Sequence, residues 1–288
     1  MESLLSEQDL LGISPTWLPF AGFWLLLILF AAAELAWPLY RKPKETPGRL
    51  VANFGLGIVN ALLLAALPVS AVLAAEWARQ RQFGLSYWLD LPLWAEVTST
   101  LVAWSFASYW LHRAEHRIPL LWRMHQVHHA DTAVDLSTGV RHHPGEALVV
   151  AVLMSGLAAL LGLSAVAIAA YALVAGGFAL WTHLNLSLPE PADRLVRLLF
   201  TTPAAHHVHH SSERDETDSN YADVLILWDR LCGTYCAPSH ERLLATRFGL
   251  GDAHDPGAGS LLAQLRAPVD PALRPRPARS STRLLADR

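Results

Sequence analysis

Histidine is the residue type in this sequence that could do chemistry, because it is both frequent and clustered. The chain has 288 residues and 14 histidines, and 12 of these histidines lie between residues 112 and 210. Three groups have helical spacing: His112 and His116; His125, His128 and His129; and His206, His209 and His210. Side chains three or four positions apart lie on one face of a helix. Each group is therefore expected to present several imidazoles to a metal ion.

The number of clustered histidines predicts more than one metal ion. The pattern H-x-x-H-H occurs twice, at residues 125–129 and 206–210, and this repetition is hard to assign to chance. A site with eight or more imidazoles implies two metals. Imidazole ligands suit iron, copper, nickel and zinc, so the histidine count leaves the identity of the metal open.

Two other functions are compatible with parts of the pattern. Residues 112–116 also fit the H-x-x-E-H motif of a zinc metallohydrolase. Such a site needs about three protein ligands and would leave at least six of the clustered histidines unused. The second alternative is a membrane metal-binding or transport protein. Transporters usually place polar residues near the bilayer midplane, whereas these histidines follow the ends of apolar runs.

The composition predicts an integral membrane protein of all-α class. Hydrophobic residues make up 52% of the chain and charged residues 16%, whereas soluble domains carry about 25% charge. Apolar runs at residues 11–33, 50–75 and 97–111, and a longer run without charge at 147–189, predict about four to five membrane helices. The longer run is expected to form a helical hairpin over 147–161 and 165–182. The net charge of −3, without a basic stripe, excludes a nucleic-acid partner.

Basic residues predict that the histidine clusters form a helical cap on the cytoplasmic side of a multi-pass protein. Positive charges accumulate in cytoplasmic segments next to membrane spans. Such residues follow the first span at Arg41, Lys42, Lys44 and Arg49, and the third span at Arg113, Arg117, Arg123 and Arg141. Because the hairpin crosses out and back, His183 and the residues after it are expected on the same side.

The histidine groups, their order and the preceding spans resemble the fatty acid hydroxylase and sterol desaturase superfamily. The matching stretches are residues 112–116, 125–129, 141–146 and 206–210, followed by Asn220-Tyr221 and by residues 228–235. Arg49, Asn53 and Asn60 resemble polar positions of the family's preceding helices. The likeness covers residues 49–236. Ala222 and Cys232 stand where the family commonly has glycine and phenylalanine, which affects packing rather than the metal centre.

The resemblance implies a centre of two iron ions and a set of ligands. The residues it assigns as ligands are His112, His116, His125, His128, His129, His206, His209 and His210, with His143 and His183 as additional ones. His142 and His207 remain outside this set. The implied reaction hydroxylates or desaturates a C–H bond of a fatty acyl or sterol-like lipid, using O2 and electrons from a separate electron-transfer protein.

Three sets of accessory residues are expected around the centre. Carboxylates available to orient the histidines are Glu115, Asp131, Asp135, Glu146, Asp223 and Asp229. Aromatic residues that either line a lipid route or only pack are Trp104, Phe106, Tyr109, Trp110, Trp122 and Phe178. Basic residues that either dock the electron donor or only enforce topology are Arg113, Arg117, Arg123 and Arg194.

Three regions follow from these patterns. Residues 1–48 are expected to form an N-terminal membrane anchor and a basic loop, and residues 49–236 the catalytic domain. Residues 237–288 are expected to form a polar C-terminal tail that is partly disordered beyond about Leu265.

Overall fold

The protein is all-helical in the computed structural model, which describes residues 17–40, 46–89, 91–250 and 257–270. Within these ranges there are α-helices, two short 3-10 helices and two isolated β-bridges, and no strand. The first eight helices are α1 (Trp17–Ala36), α2 (Arg49–Ala66), α3 (Ala71–Gln80), α4 (Leu85–Leu89), α5 (Leu93–Arg117), α6 (Pro119–His129), α7 (Pro144–Leu161) and α8 (Ala165–Trp181). The shorter helices are α9 (Glu190–Val196), α10 (Pro203–His209), α11 (Arg214–Thr217), α12 (Leu227–Cys232), α13 (His240–Ala245) and α14 (Leu261–Arg266). The predicted all-α class is confirmed.

The predicted second span is divided into two helices. Leu67 is extended, with φ −101° and ψ 141°, and it ends α2 just before Pro68, because a residue before proline is disfavoured in the helical region. Ser70 then caps α3 by accepting a hydrogen bond from the backbone N–H of Leu73 at 3.1 Å. The segment before α5, residues 76–92, contains the end of α3 and all of α4.

The predicted hairpin is present as α7 and α8. Gly162 ends α7 in the left-handed region, with φ 66° and ψ 42°, a conformation that glycine adopts without a Cβ clash. Ser164 then caps α8 by accepting a hydrogen bond from the N–H of Ala167 at 3.2 Å. Two helical stretches, residues 49–80 and α7, are long and apolar enough to cross a membrane. Two further apolar stretches are shorter: Ala21–Ala36 within α1, and α8.

The apolar helices pack in pairs that bring α5 and α8 together. Helix α3 packs on α7, α1 on α8, and α5 on both α6 and α8. Trp104 of α5 meets Tyr171 of α8 edge to face, with ring centroids 4.5 Å apart. Because α6 follows α5 after a single residue, its position is fixed by the same contacts. This arrangement holds the histidine-bearing ends of α5 and α6 beside the end of α8.

A buried ion-pair network joins α2 to the segment after α6. The guanidinium of Arg49 donates hydrogen bonds to the carboxylates of Asp131 and Asp135 and to the backbone carbonyl of Ala133, the last at 2.7 Å. Asn53, one turn later, donates to Asp131 at 2.8 Å and accepts from Arg141 at 2.6 Å. The network therefore fixes the chain on both sides of the 3-10 helix Leu136–Val140.

Residues 257–270 pack against the helical body. Helix α14 contacts α2, and the 3-10 helix Ala267–Val269 contacts α6. Gln264 and Ala267 are buried there. Residues 271–288 of the predicted tail, residues 1–16 of the predicted anchor, and Arg41, Lys42 and Lys44 of the predicted basic loop lie outside the described ranges. The proposed division into three regions stays a prediction.

Replacement of Arg49 is predicted to destabilise the fold strongly. Arg49→Met leaves the carboxylates of Asp131 and Asp135 buried without their cation, and breaking a buried pair in this way costs about 3–5 kcal/mol. Thermal unfolding of the purified protein in detergent measures this loss. The matched control is Arg79→Met, because Arg79 pairs with Glu76 on the surface and exposed pairs contribute little. Equal melting temperatures for the two variants would contradict the role assigned to Arg49.

Candidate metal centre

Four segments of the chain bring nine histidines together. His112 and His116 lie at the end of α5, and His125, His128 and His129 at the end of α6. His183 follows α8, His206 and His209 lie on α10, and His210 is the C-cap of α10. All nine are buried, with at most 6% of each residue exposed. The sequence therefore identified the groups that converge.

The nine histidines divide into two clusters. Cluster A contains His112, His116, His125, His129 and His209. Cluster B contains His128, His183, His206 and His210. Within each cluster the potential ligand nitrogens all lie within 4.8 Å of one another. The rings of His129 and His210 stack with centroids 4.7 Å apart, so the two clusters are in contact.

Each H-x-x-H-H motif contributes to both clusters. In α6, His125 and His129 belong to cluster A and His128 to cluster B, whereas at α10 His206 and His210 belong to cluster B and His209 to cluster A. Residues four apart are offset by only about 40° around a helix, whereas adjacent residues are offset by about 100°. The three imidazoles of each motif are therefore divided between the two clusters, although their spacing places them on one side of the helix.

Hydrogen bonds to one ring nitrogen orient most of these side chains. Nδ1 donates to a backbone carbonyl in His112 (Tyr221, 2.6 Å), His128 (Arg141, 3.0 Å), His183 (Ala179, 2.6 Å) and His209 (Ser219, 2.7 Å). Nδ1 of His125 lies 3.0 Å from Glu146 Oε1, and Nδ1 of His116 lies 3.5 Å from Asp218 Oδ1. A nitrogen that donates to a carbonyl carries the ring proton, so the other nitrogen, Nε2, keeps its lone pair. This arrangement is typical of histidines that bind metals.

The spacing of the inward nitrogens fits a metal ion in each cluster. In cluster A, Nε2 of His125 lies 3.0 Å from that of His112 and 3.1 Å from that of His129. In cluster B, Nε2 of His183 lies 3.1 Å from the Nε2 atoms of His128, His206 and His210. Two nitrogens bound at right angles, each about 2.1 Å from an ion, are about 3.0 Å apart.

Two further nitrogens of cluster A support the same interpretation. The Nε2 atoms of His116 and His209 are buried and have no hydrogen-bond partner among the described residues. A buried nitrogen without a partner is unfavourable, and a metal ion would provide that partner. The donor set, neutral imidazole nitrogen, is one that transition metals prefer. The residues present therefore fit a metal in each cluster.

Burial keeps these histidines neutral and able to bind metal. Burial, followed by repulsion from His125, lowers the pKa of His112 to about 4, and burial lowers the pKa of His183 to about 3. The pKa values of His128 and His129 are also well below the ordinary value, because burial and neighbouring histidines disfavour a second proton. At neutral pH the clusters therefore present lone pairs rather than positive charges.

His143 is the one predicted ligand that the structure does not bring to either cluster. It caps α7, where its Nδ1 accepts a hydrogen bond from the N–H of Gly145 at 3.0 Å, and its Nε2 donates to the carbonyl of Leu265 at 3.2 Å. His142 stacks on His128 with centroids 4.4 Å apart. His207 lies against the rings of Tyr40 and Phe248, each 5.7 Å away between centroids.

The carboxylates singled out from the sequence have different surroundings. Glu115, Glu146 and Asp223 lie beside the histidines, since Glu115 is 3.5 Å from His125 and Asp223 is 3.6 Å from His112. Asp131 and Asp135 bind Arg49 instead, and Asp229 accepts hydrogen bonds from backbone N–H groups. Sequence reasoning missed Asp218 and the backbone carbonyls, and a carbonyl carries no signal in the sequence.

An apolar cavity of about 420 Å³ opens next to both clusters. Its polar end includes His112, His125, His128, His183 and His206. Its apolar walls come from α2, α5, α7 and α8, and include Leu64, Leu111, Val150, Met154, Tyr171 and Ala175. None of the six aromatic residues considered from the sequence lines it; Trp104 packs on Tyr171 and Phe178 on Phe200. The cavity could hold an extended apolar molecule with one end at the histidines.

Known proteins resemble this chain over the same region. Residues 97–234 match the sequence model of the fatty acid hydroxylase family. The alkylglycerol monooxygenase of Homo sapiens is 31% identical over 216 residues, which are 72% of this chain and 45% of that protein. The ornithine lipid hydroxylase OlsE of Rhizobium tropici is 32% identical over 184 residues, which are 63% of this chain and 53% of that protein.

A more distant relative is the very-long-chain aldehyde decarbonylase GL1-6 of Oryza sativa subsp. indica, 31% identical over 180 residues, with 56% of this chain and 27% of that protein covered. The chain thus spans about half the length of the monooxygenase and the hydroxylase that it matches. No solved structure matches it. The matched region contains all nine clustered histidines, and the chain belongs to the fatty acid hydroxylase family, within the superfamily of fatty acid hydroxylases and sterol desaturases.

Proposed function

We propose that the protein is a membrane-bound di-iron oxygenase that hydroxylates a C–H bond of a lipid, with O2 as oxidant and electrons from a separate electron-transfer protein. The observation that carries the proposal is the position of the two histidine clusters at one end of an apolar cavity. The relatives support it, because two of them are named as an alkylglycerol monooxygenase and an ornithine lipid hydroxylase. Desaturation would use the same oxidant. Its product would be lighter than the substrate by two hydrogens, whereas the hydroxylated product is heavier by one oxygen.

The nine clustered histidines would hold one iron in cluster A and one in cluster B. Bound iron would supply activation of O2 for attack on an unactivated C–H bond. The chain's own residues keep the imidazoles neutral by burial and fix their rings through carbonyl and carboxylate acceptors. Neutral imidazoles would not cancel the charge of two metal ions, so the nearby carboxylates of Glu115, Glu146 and Asp223 would balance part of it. The apolar walls bind the lipid chain and exclude water.

The surface of the apolar helices supports a membrane location. Side chains that point away from the protein include Ile28, Leu62 and Val152, which are 65%, 66% and 55% exposed. Such residues are costly in water and favourable in lipid. The proposed orientation, with the histidines on the cytoplasmic side, rests on Arg113, Arg117 and Arg123. Arg141 does not contribute to that surface charge, because it is fully buried.

The zinc metallohydrolase and the metal carrier are less well supported. His112 and His116 of the H-x-x-E-H motif share cluster A with three further histidines, so a three-ligand zinc site does not account for the arrangement. A carrier needs ligands along a path, whereas the nine histidines gather in two clusters that contact each other. Both alternatives predict no oxidised lipid, which makes them separable by experiment.

The purified protein is predicted to bind about two iron ions per chain after reconstitution with ferrous iron. His116→Ala removes a ligand from cluster A and His128→Ala removes one from cluster B, so each variant should retain close to one ion after dialysis against a chelator. The matched control is His240→Ala, an exposed histidine outside both clusters, which should retain two. Elemental analysis measures these contents. One zinc per chain, unaffected by His128→Ala, would rule out the di-iron centre.

Lipid extracts incubated with the iron-loaded protein, a reducing system and O2 are predicted to gain a product that is heavier by one oxygen atom. Labelling with ¹⁸O2 should place the label in that product, as seen by mass spectrometry, because the oxygen comes from O2. A product lighter by two hydrogens would identify a desaturase instead. Peptidase activity without any O2-dependent product would overturn the proposal.

Filling the cavity is predicted to abolish lipid oxidation without loss of metal. Ala151 lines the cavity, so Ala151→Trp should place an indole where the lipid chain lies and lower turnover by at least about tenfold, since misplacing a substrate by about 1 Å can cost 10²-fold. The control is Val152→Trp on the exposed side of the same helix, which should keep turnover. Metal content, measured on both variants, should stay at the wild-type value. Equal turnover in the two variants would place the substrate elsewhere.

A further inference from the structure

The histidine end of the cavity carries polar side chains that do not belong to either cluster. They are Asn60, Ser108, Glu115, Glu146, Thr182 and Asp223. Several of their polar atoms are already bonded within the protein. Ser108 donates to Asp223 at 2.6 Å, and the Asn60 amide nitrogen donates to the carbonyl of His142 at 2.9 Å. The Oε1 atom of Glu146 accepts hydrogen bonds from Nδ1 of His125 and from Nδ1 of His142, at 3.0 and 2.9 Å.

Two acceptor oxygens in this lining have no partner. They are Oδ1 of Asn60 and Oε2 of Glu146, both buried and without a hydrogen bond among the described residues. Glu146 as a whole is only 4% exposed. The amide of Asn60 is oriented by its donor nitrogen, which must face the His142 carbonyl, and its oxygen therefore belongs on the other side. A buried acceptor without a donor is unfavourable, so a ligand that brings a donor to these oxygens gains free energy.

The charges of the lining indicate which polar groups fit. Three carboxylates, those of Glu115, Glu146 and Asp223, line the cavity, and no lysine or arginine does. Among the side chains of this lining, the chain therefore offers a ligand oxygen acceptors and no cationic donor. A hydroxyl or an amine would donate a hydrogen bond to those acceptors. The opposite walls, at Leu64, Met154 and Tyr171, are suited to a hydrocarbon chain.

We propose that Asn60 and Glu146 form an acceptor subsite for a lipid whose polar end carries a hydroxyl or amine hydrogen-bond donor. Donor hydrogens of that polar end bind Asn60 Oδ1 and Glu146 Oε2 beside the histidines, one hydrogen to each oxygen, and the hydrocarbon chain extends along the apolar walls. This subsite rests on the proposed lipid oxygenase function and narrows its substrate class. An unsubstituted hydrocarbon chain leaves both oxygens unpaired and binds more weakly.

Two matched pairs of probes test the subsite on the full-length, iron-loaded protein. The hydroxyl pair is 1-O-hexadecylglycerol and the same compound with both hydroxyls methylated, and the amine pair is hexadecylamine and its trimethylated form. Competition binding in mixed micelles gives the ratio of affinities within each pair. At least one pair should show the donor compound bound about tenfold more tightly, since a hydrogen bond to a charged group contributes that much or more. Equal affinities in both pairs would overturn the subsite.

Asn60→Leu separates hydrogen bonding from the size of the added methyl groups. The variant should lower the affinity ratio of the preferred pair by about threefold or more, because one acceptor is lost. The control Leu64→Ala, one turn later on α2 and in the same lining, should weaken both members of the pair and leave their ratio unchanged. A ratio that persists in Asn60→Leu would show that methyl bulk, not the acceptor, causes the preference.

The same samples distinguish failure of the subsite from failure of the proposed function. If iron content is close to two and a lipid gains oxygen, but the affinity ratios equal one, the oxygenase stands and the subsite does not. If no iron binds or no lipid is oxidised, the proposed function itself fails, and the subsite that rests on it falls too.

Discussion

Burial of nine imidazoles is the constraint on which the rest of this structure depends. Each ring has two nitrogens, and a buried nitrogen without a partner is unfavourable. The fold meets this demand by placing an acceptor behind most rings, such as the carbonyls of Tyr221 and Ser219 behind His112 and His209. The acceptor holds the ring proton on Nδ1 and leaves Nε2 facing its neighbours. A centre of this kind therefore needs a correctly placed backbone as much as it needs histidines.

The segment after α11 shows how the backbone is placed. Asn220 has a positive φ of 48°, which asparagine tolerates better than most residues, and its side chain bonds the backbone of Ala205 and Cys236. The chain turns there, and Asp229 accepts the N–H groups of Tyr221 and Ala222 at 2.8 and 2.9 Å. The Tyr221 carbonyl consequently points at His112. Asn220 and Asp229 thus orient His112 indirectly, because they position the backbone carbonyl of Tyr221.

The division of each H-x-x-H-H motif couples the two clusters mechanically. A shift of α6 would move His125 and His129 of cluster A together with His128 of cluster B, and α10 has the reverse assignment. The Arg49 network, which holds the chain beyond α6, and the contacts of α5 with α8 keep these helices in place. The cavity between α2, α5, α7 and α8 meets both clusters at the same end. One molecule can therefore lie close to both proposed metal ions.

The sequence by itself determined the apolar helices, the hairpin around Gly162 and the histidines that converge, because hydropathy and helical spacing are local properties. It also indicated that Glu115, Glu146 and Asp223 were available near the histidines. Only the tertiary structure decided that His183 joins cluster B while His143 caps α7, since these two residues differ in what surrounds them rather than in type. It also decided how the motifs divide and which carbonyls orient the rings. Those choices depend on contacts between segments up to about a hundred residues apart, such as His112 with Tyr221, and no local pattern encodes them.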